Sequence, residues 1–220
     1  MIIVITGVSS EKGNDGSLAF KKKFAEAYGV SVFDVIHINP EPYFDSSNFN
    51  WTTKLAIAAG TQALKAYSGA DFSVLTEEYR DKAQDVWLYL NPLCHRTRNK
   101  LDHDVLETLK KYPDATVIGH SLGSVIAVRC LSLIEQSDIK LITMGSPLWM
   151  KLVRLFIDVK IDNYLDCDSW VNYYSTNDLI AKKKIPDDVG ILPKHQKEVG
   201  TSHDFFEYLA QHTSDPIIIP

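Results

Sequence analysis

Residues 115–135 contain the feature that most constrains this chain, a sharp turn between a strand-like segment and a helical one. The strand part is β-branched at 116–118, the turn reads GHSLG at 119–123, and a mostly apolar helical segment follows. A serine in the middle of such a turn takes strained backbone angles, and side chains two residues before and after it would collide. Glycines fill both of those positions. The pattern therefore predicts that the Ser121 hydroxyl is raised above the edge of a sheet, at the N-terminus of a helix.

A buried strand, a Gly-x-Ser-x-Gly turn and an apolar helix together form the pattern of a nucleophile elbow. Here the chain resembles the lipases and esterases of the α/β-hydrolase family, whose elbow often reads GHSLG. The resemblance implies that Ser121 is a nucleophile and that the backbone N–H of Leu122 donates to the oxyanion formed during acyl transfer. The simpler alternative is a glycine-rich turn with an idle serine.

A nucleophilic serine needs a base, and the base needs an orienting acid. In the resembled family they follow in the order serine, acid, histidine, each in a loop after a later strand. Asp178 lies four residues after the strand-like WVNYY at 170–174, and His203 lies 25 residues after Asp178, at the start of the last helical segment. The resemblance therefore implies a catalytic triad of Ser121, Asp178 and His203.

Other histidines and carboxylates compete for these roles. His195 lies in a lysine-flanked segment, and we expect His212 in a frayed helix end. We expect Ser202 to cap the last helix and His120 to pack near the loops, because neighbouring side chains diverge at the turn. The remaining downstream carboxylates are more typical of solvated turns; they are Asp162, Asp166, Asp168, Asp187 and Asp188.

The second oxyanion donor is expected near the N-terminus. Residues 2–6 are apolar and mostly β-branched, which predicts a buried parallel strand, and the loop after them lacks both common phosphate-binding glycine patterns. In lipases and esterases this loop often begins His-Gly, and the residue after that glycine is the donor. The resemblance implies Val8, although the sequence here is Thr6-Gly7-Val8 and the missing histidine leaves Ser9 as an alternative.

Strands and helices alternate along residues 1–220, which predicts a single α/β domain with a mostly parallel sheet and helices on both faces. The resemblance implies that this domain has the α/β-hydrolase fold. Expected strands lie at 2–6, 30–38, 116–118, 139–143 and 170–174, and expected helices at 17–28, 101–112, after the turn and at 202–212. Residues 43–95 exceed one crossover and form either a cap over the site or helices covering the sheet. Leu148, Trp149 and Met150 either line an acyl pocket or pack in a helix.

Composition narrows the class of protein. The formal charge of −5 provides no basic face for nucleic acid. Three distant cysteines, Cys94, Cys130 and Cys167, form no CxxC pair, which favours neither a disulfide framework nor a metal site and is typical of the cytoplasm. No signal-like N-terminus or apolar run of about 18 residues occurs, so no transmembrane segment is expected. Nothing in the sequence indicates the oligomeric state.

The resemblance implies a serine hydrolase that cleaves a carboxylic ester or thioester of a small-molecule acyl substrate through an acyl-enzyme, without metal or cofactor. Peptidases and acyltransferases use the same parts, and the sequence does not separate them. A hydrolase-fold protein that binds a ligand or partner without turnover is an alternative from another class. Such a protein is expected to lack one member of the triad.

Overall fold

A computed structural model describes residues 1–7, 14–44, 86–134, 138–157, 170–186 and 193–214. Within these residues one six-stranded sheet has the order β2-β1-β3-β4-β5-β6, and every pairing is parallel. Its strands are β1 (Ile2–Ile5), β2 (Val35–Ile38), β3 (Thr116–His120), β4 (Lys140–Met144), β5 (Trp170–Tyr174) and β6 (His195–Glu198). The α/β class with a parallel sheet, predicted from the alternating pattern, is confirmed.

Helices cover both faces of the sheet. They are α1 (Asn14–Tyr28), α2 (His95–Lys111), α3 (Leu122–Leu131), α4 (Lys151–Ile157) and α5 (Phe205–Thr213), and residues 86–90 are also helical. Along β1, Ile3 and Ile5 join the apolar cluster formed with α2, α3 and α4, whereas Ile2 and Val4 join the cluster formed with α1 and α5. Because successive side chains of a strand point to opposite faces, a strand buried on both sides is continuously apolar, as β1 is.

Two strands differ most from the sequence-based expectation. The second strand begins at Val35 instead of residue 30, because Val32–Asp34 forms a 3-10 helix whose first turn is capped by the Ser31 hydroxyl. The strand β6 had no apolar signal, since HQKE lies at the edge of the sheet and three of its four residues are exposed. Polar edge strands are common because they discourage pairing with other chains, and they therefore lack the pattern that reveals buried strands.

Most of the segment at 43–95, interpreted as a cap or a cover, lies outside the described residues. Inside them are the 3-10 helices Glu41–Phe44 and Pro92–Cys94 and the helical residues 86–90. Whether this segment caps the site therefore stays a prediction, as does the extent of the domain over 1–220.

A partly buried ion pair attaches α3, the helix after the sharp turn, to α2. Arg129 Nε lies 2.9 Å from Asp102 Oδ2, and the hydroxyl of Tyr89 donates to Asp102 Oδ1 at 2.6 Å. Arg129 also donates to the carbonyl of Ile157 at the end of α4. Removing Arg129 would leave the charge of the buried Asp102 carboxylate uncompensated, which is destabilising. The pair therefore fixes the position of the helix that follows Ser121.

Candidate active site

The turn at Ser121 has the strained geometry that its glycines predict. Ser121 follows β3 with φ 54° and ψ −126°, and it is the one non-glycine residue with positive φ in the described part of the chain. Backbone strain of this kind costs about 1–3 kcal/mol and clusters at active sites. Since α3 begins at Leu122, the hydroxyl of Ser121 lies at a helix N-terminus.

The two glycines of the turn are required for different reasons. A Cβ at Gly119 would lie 2.7 Å from the Cα of Ser124, in the first turn of α3. A Cβ at Gly123 would collide with the backbone of Ile5 in β1 and would lie 2.8 Å from the carbonyl oxygen of Thr6. Gly119 thus permits the sharp turn itself, whereas Gly123 permits α3 to begin against the neighbouring strand.

Three of the residues singled out from the sequence meet at the carboxyl edge of the sheet. His203 Nε2 lies 2.9 Å from Ser121 Oγ, and His203 Nδ1 lies 2.6 Å from Asp178 Oδ2. All three side chains are buried, with exposed fractions of 4% for Ser121, 0% for Asp178 and 4% for His203. Because the carboxyl ends of parallel strands share one edge, loops after β3, β5 and β6 bring together residues 82 positions apart.

Four hydrogen bonds surround the Asp178 carboxylate. Oδ2 accepts from His203 and from the hydroxyl of Tyr208 at 2.8 Å, and Oδ1 accepts from the backbone N–H groups of Ile180 and Ala181 at 2.8 and 3.1 Å. Burial by itself raises the pKa of Asp178, but the hydrogen bond and charge of His203, with those from Tyr208 and Ile180, outweigh it and lower the pKa below its usual value. The carboxylate therefore stays ionised although it is fully buried.

Hydrogen bonds on both sides of His203 fix its position. Asp204, not Ser202 as expected, caps α5 by accepting from the N–H groups of Phe206 and Glu207. The backbone N–H and hydroxyl of Ser202 both donate to the Glu207 carboxylate, at 2.9 and 2.8 Å. An aspartate is a strong N-cap, and a glutamate three residues later reaches back toward the chain before it. The segment that carries His203 is therefore anchored to the first turn of α5.

The competing histidines lie elsewhere. His195 is exposed on β6. His212 is buried, and its ring nitrogens lie 3.2 Å from the Tyr28 hydroxyl and 3.1 Å from the Tyr173 hydroxyl, so the expectation of a frayed, exposed position is wrong. The ring of His120 packs against that of His203 with centroids 4.9 Å apart. The alternative carboxylates, Asp162, Asp166, Asp168, Asp187 and Asp188, lie outside the described residues.

Gly145 is a site residue that the sequence did not single out. It follows β4 with φ +61°, and a Cβ there would lie 3.1 Å from His120 Nε2 and 3.2 Å from His203 Cε1. The absence of a side chain allows both imidazole rings to pack against this backbone.

Gly145→Ala is expected to lower kcat for ester hydrolysis by about tenfold, because its methyl group displaces the His203 ring by a few tenths of an ångström. Gly29 provides the matched control, since it also has positive φ, +75°, but open space where a Cβ would lie. Both variants should lose about 1 kcal/mol of stability from backbone strain. Equal kcat values for Gly145→Ala and Gly29→Ala would contradict the crowding argument.

The region of the expected oxyanion hole is partly described. Leu122, which the resemblance implies as one donor, is the first residue of α3. A Cβ at Gly7 would lie 2.9 Å from Ser121 Cβ, 3.2 Å from Ser121 Oγ and 3.7 Å from the backbone nitrogen of Leu122. The end of β1 therefore approaches the serine closely. The expected second donor Val8 and its alternative Ser9 lie outside the described residues.

The residues expected near an acyl pocket lie in the loop after β4. Pro147–Trp149 is a 3-10 helix capped by Ser146, Leu148 is buried in a core cluster, and Met150 packs against that cluster. The indole N–H of Trp149 donates to the carbonyl of Ile180 at 2.6 Å. This bond joins the loop after β4 to the loop that carries Asp178. That Leu148, Trp149 and Met150 line an acyl pocket stays a prediction.

Tyr208, which contacts Asp178, is a second site residue that the sequence did not indicate. A tyrosine five residues after a histidine forms no distinctive sequence pattern. Tyr208→Phe removes its bond to Asp178 without changing shape. We expect kcat to fall about tenfold and the free energy of unfolding to fall by about 1.5–3 kcal/mol at neutral pH, the range for a hydrogen bond to a charged group. Tyr173→Phe, which removes a buried hydroxyl bonded to His212, should lose stability and keep kcat.

The stability deficit of Tyr208→Phe should depend on pH. Because folding lowers the pKa of Asp178, the ionised carboxylate stabilises the fold above its unfolded pKa of about 3.9, and this stabilisation is lost as the pH falls through the folded-state pKa. The deficit is therefore expected to be full at neutral pH and to shrink as the pH falls below the unfolded pKa and through the lower folded-state pKa. Denaturant titrations at neutral pH and at a series of acidic pH values measure it. An unchanged deficit would show that Tyr208 does not stabilise the charged form.

The described residues contain no group of three or more histidine, cysteine, aspartate or glutamate side chains arranged to hold a metal ion. Cys94 and Cys130 are free and buried, and burial raises the pKa of both thiols. Cys167 lies outside the described residues. Among the helices that the structure describes, none has both the length and the apolar character needed to cross a membrane.

The parallel sheet, the strained serine after β3 and the helices on both faces define an α/β-hydrolase fold. The family model for lipase (class 3) matches residues 52–182, more than half of the chain. The chain therefore belongs to the class 3 lipase family, which indicates an ester hydrolase of the serine type. The matched range includes Ser121 and Asp178 and ends before His203.

A solved structure described as RedJ with a PEG molecule bound in the active site has a TM-score of 0.47 and 12% identity, over 97% of this chain and 88% of that chain. No curated protein sequence matches the chain significantly.

Proposed function

We propose that this chain hydrolyses a carboxylic ester or thioester through an acyl-enzyme intermediate on Ser121. The observation that carries the proposal is the continuous chain of hydrogen bonds from Ser121 Oγ through His203 to Asp178, at 2.9 and 2.6 Å. In an idle glycine-rich turn, nothing would require a buried histidine and an ionised buried carboxylate to align on the serine. A nucleophile, a base and an orienting acid in hydrogen-bond contact are the signature of nucleophilic catalysis.

The first half of the cycle forms the acyl-enzyme. Ser121 Oγ bonds to the acyl carbon while its proton moves to His203 Nε2, and the carbonyl π electrons move to the oxygen. The ionised Asp178 holds the Nδ1–H tautomer and stabilises the imidazolium. When the tetrahedral intermediate collapses, the bond to the leaving oxygen or sulfur breaks and His203 gives it the proton. The oxyanion is held by the N–H of Leu122 and, by resemblance, by that of Val8.

The second half releases the acid. Water attacks the acyl carbon, His203 Nε2 accepts its proton, and a second oxyanion forms in the same place. Collapse breaks the bond to Ser121 Oγ, which regains its proton from His203. The products are a carboxylic acid and an alcohol or thiol. The cycle uses only these side chains, backbone donors and water.

A small-molecule acyl substrate and a pocket built from the loop after β4 complete the proposal. Trp149 is tied to the Asp178 loop and Met150 is half-buried beside the core, which supports an apolar wall at this edge. We also infer a cytoplasmic location, supported by the free buried thiols of Cys94 and Cys130, because reducing compartments keep thiols unpaired.

Active-site labelling combined with substrate profiling tests the proposed function. The protein is treated with a fluorophosphonate probe, the adduct is located by mass spectrometry, and turnover is measured on oxygen and thioester substrates of graded acyl length. We expect one adduct, on Ser121, and hydrolysis of at least one series. If acyl transfer to an added alcohol were faster than hydrolysis, the protein would be an acyltransferase. If it cleaved amides in preference to esters, it would be a peptidase. A folded protein with neither adduct nor turnover would be a binding protein.

A further inference from the structure

A half-buried histidine outside the triad joins the two ends of the loop that follows β1. His37 lies on β2, and its Nε2 is 3.0 Å from the hydroxyl of Thr6, at the end of β1. Its Nδ1 is 3.3 Å from the hydroxyl of Ser17, in the first half of α1. The ring of Phe20 stacks on the imidazole with centroids 4.0 Å apart. One ring therefore contacts residues on both sides of residues 8–13.

The Thr6 end of this link is next to the serine. Thr6 is 1% exposed, and its backbone N–H donates to the carbonyl of Ile38 at 3.3 Å. The next residue, Gly7, is so close to Ser121 that a Cβ would lie 2.9 Å from Ser121 Cβ and 3.7 Å from the Leu122 nitrogen. A shift of a few tenths of an ångström at Thr6 would therefore be transmitted to the backbone beside the expected oxyanion position.

His37 is in the neutral form, which matches its two hydrogen bonds to hydroxyl groups. Burial, and to a smaller extent the charge of Lys21, lower the pKa of His37 to about 4. A neutral imidazole has one donor and one acceptor nitrogen, which match two hydroxyl groups that can take either role. His37 is therefore uncharged at neutral pH and makes none of the hydrogen bonds of the triad.

We propose that His37 is a positioning residue for the oxyanion hole, holding Thr6 and thereby Gly7 in place against Ser121. The inference rests on the proposed function, since it assigns His37 a part in the same reaction. Leu122 is fixed by the start of α3. The second donor proposed above, Val8, follows Gly7 directly in the chain, so its place depends on where Gly7 lies. Oxyanion donors act through geometry, because they must face the position that the oxygen occupies in the transition state.

Paired variants at positions 6 and 37 distinguish loss of the hydrogen bond between Thr6 and His37 from general destabilisation of the fold. Thr6→Val keeps the shape and removes the hydroxyl, whereas Thr6→Ser keeps the hydroxyl. At position 37, the amide of glutamine reaches the place of Nε2 and can bond Thr6, whereas that of asparagine reaches only the place of Nδ1. Both His37→Gln and His37→Asn lose the ring that stacks on Phe20. Ser31→Ala, which removes an exposed hydroxyl before β2, is the control for unchanged activity.

The measurements are kcat and KM on the best ester substrate, and inhibition by an alkylboronic acid, whose tetrahedral serine adduct places an oxygen in the oxyanion hole. We expect Thr6→Val and His37→Asn to lower kcat about tenfold or more with KM within about twofold, because the lost interaction forms only in the transition state. Boronate affinity should fall in parallel. Thr6→Ser and His37→Gln should recover most of both losses.

Each outcome decides the inference. If Thr6→Val and His37→Asn melt at lower temperature while kcat and boronate affinity match those of Ser31→Ala, His37 only stabilises the fold and the proposal is overturned. If His37→Asn does not fold, the isosteric Thr6→Val decides by the same criteria. An active wild type with unaffected variants overturns this inference alone, whereas an inactive wild type overturns it together with the proposed function.

Discussion

Ser121→Ala is expected to lower kcat for ester hydrolysis by about 10⁶-fold, the loss measured when the nucleophile of a serine triad is removed. The hydroxyl bonded to His203 Nε2 is the atom that would carry the acyl group. Alanine keeps the Cβ, so the strained turn and the start of α3 are retained. The fluorophosphonate adduct should disappear with the activity.

Ser132→Ala is the matched control for this prediction. Ser132 follows α3, and its hydroxyl donates to the carbonyl of Arg129, away from the triad. Its variant should keep both labelling and turnover. Residual labelling of Ser121→Ala at another residue, with kcat reduced less than tenfold, would place the nucleophile elsewhere.

Asp178→Asn is expected to lower kcat by about 10⁴-fold, because an amide facing His203 Nδ1 donates a hydrogen bond and holds the imidazole in the wrong tautomer. The amide oxygen can still accept from the N–H groups of Ile180 and Ala181, so the loop is expected to keep its shape. Kinetics together with a thermal melt measure the two effects separately.

Asp204→Asn provides the control for Asp178→Asn. It makes the same change one residue from His203, and asparagine caps a helix as well as aspartate does. We expect its kcat to stay within about threefold of wild type. If Asp178→Asn kept most of its activity, the orienting role of Asp178 would be refuted, and loss of folding together with activity would make the residue structural.

The buried part of the fold could be read from the sequence. β1 is continuously apolar, and β3, β4 and β5 are mostly apolar or β-branched; such runs have a direct signal because burial on both faces favours apolar residues. β6 lacks that signal, since pairing at an edge requires only backbone groups and leaves its side chains in water. The late start of β2 has a similar cause, because the local hydrogen bond of Ser31 competes with extension of the strand.

The site likewise contains residues that the sequence indicated and residues that it did not. The glycines around Ser121 are determined by local backbone geometry. The resemblance to the lipases and esterases, with the chain order that they share, implied Asp178 and His203 among several carboxylates and histidines. The sequence did not indicate Tyr208, Gly145 or His37, whose contacts join elements far apart in the chain. It also placed His212 at a frayed end, although two tyrosine hydroxyls from other elements hold it in the core.

The sequence by itself determined the parallel α/β architecture and the sharp turn that presents Ser121, because both follow from local sterics and from burial along single strands. Only the tertiary structure decided which side chains surround Asp178 and how closely Gly7 lies to Ser121. Those contacts depend on the order of strands in the sheet and on the register between them, which bring together the ends of β1, β3, β5 and β6. A distance between such ends is a property of packing that no local pattern encodes.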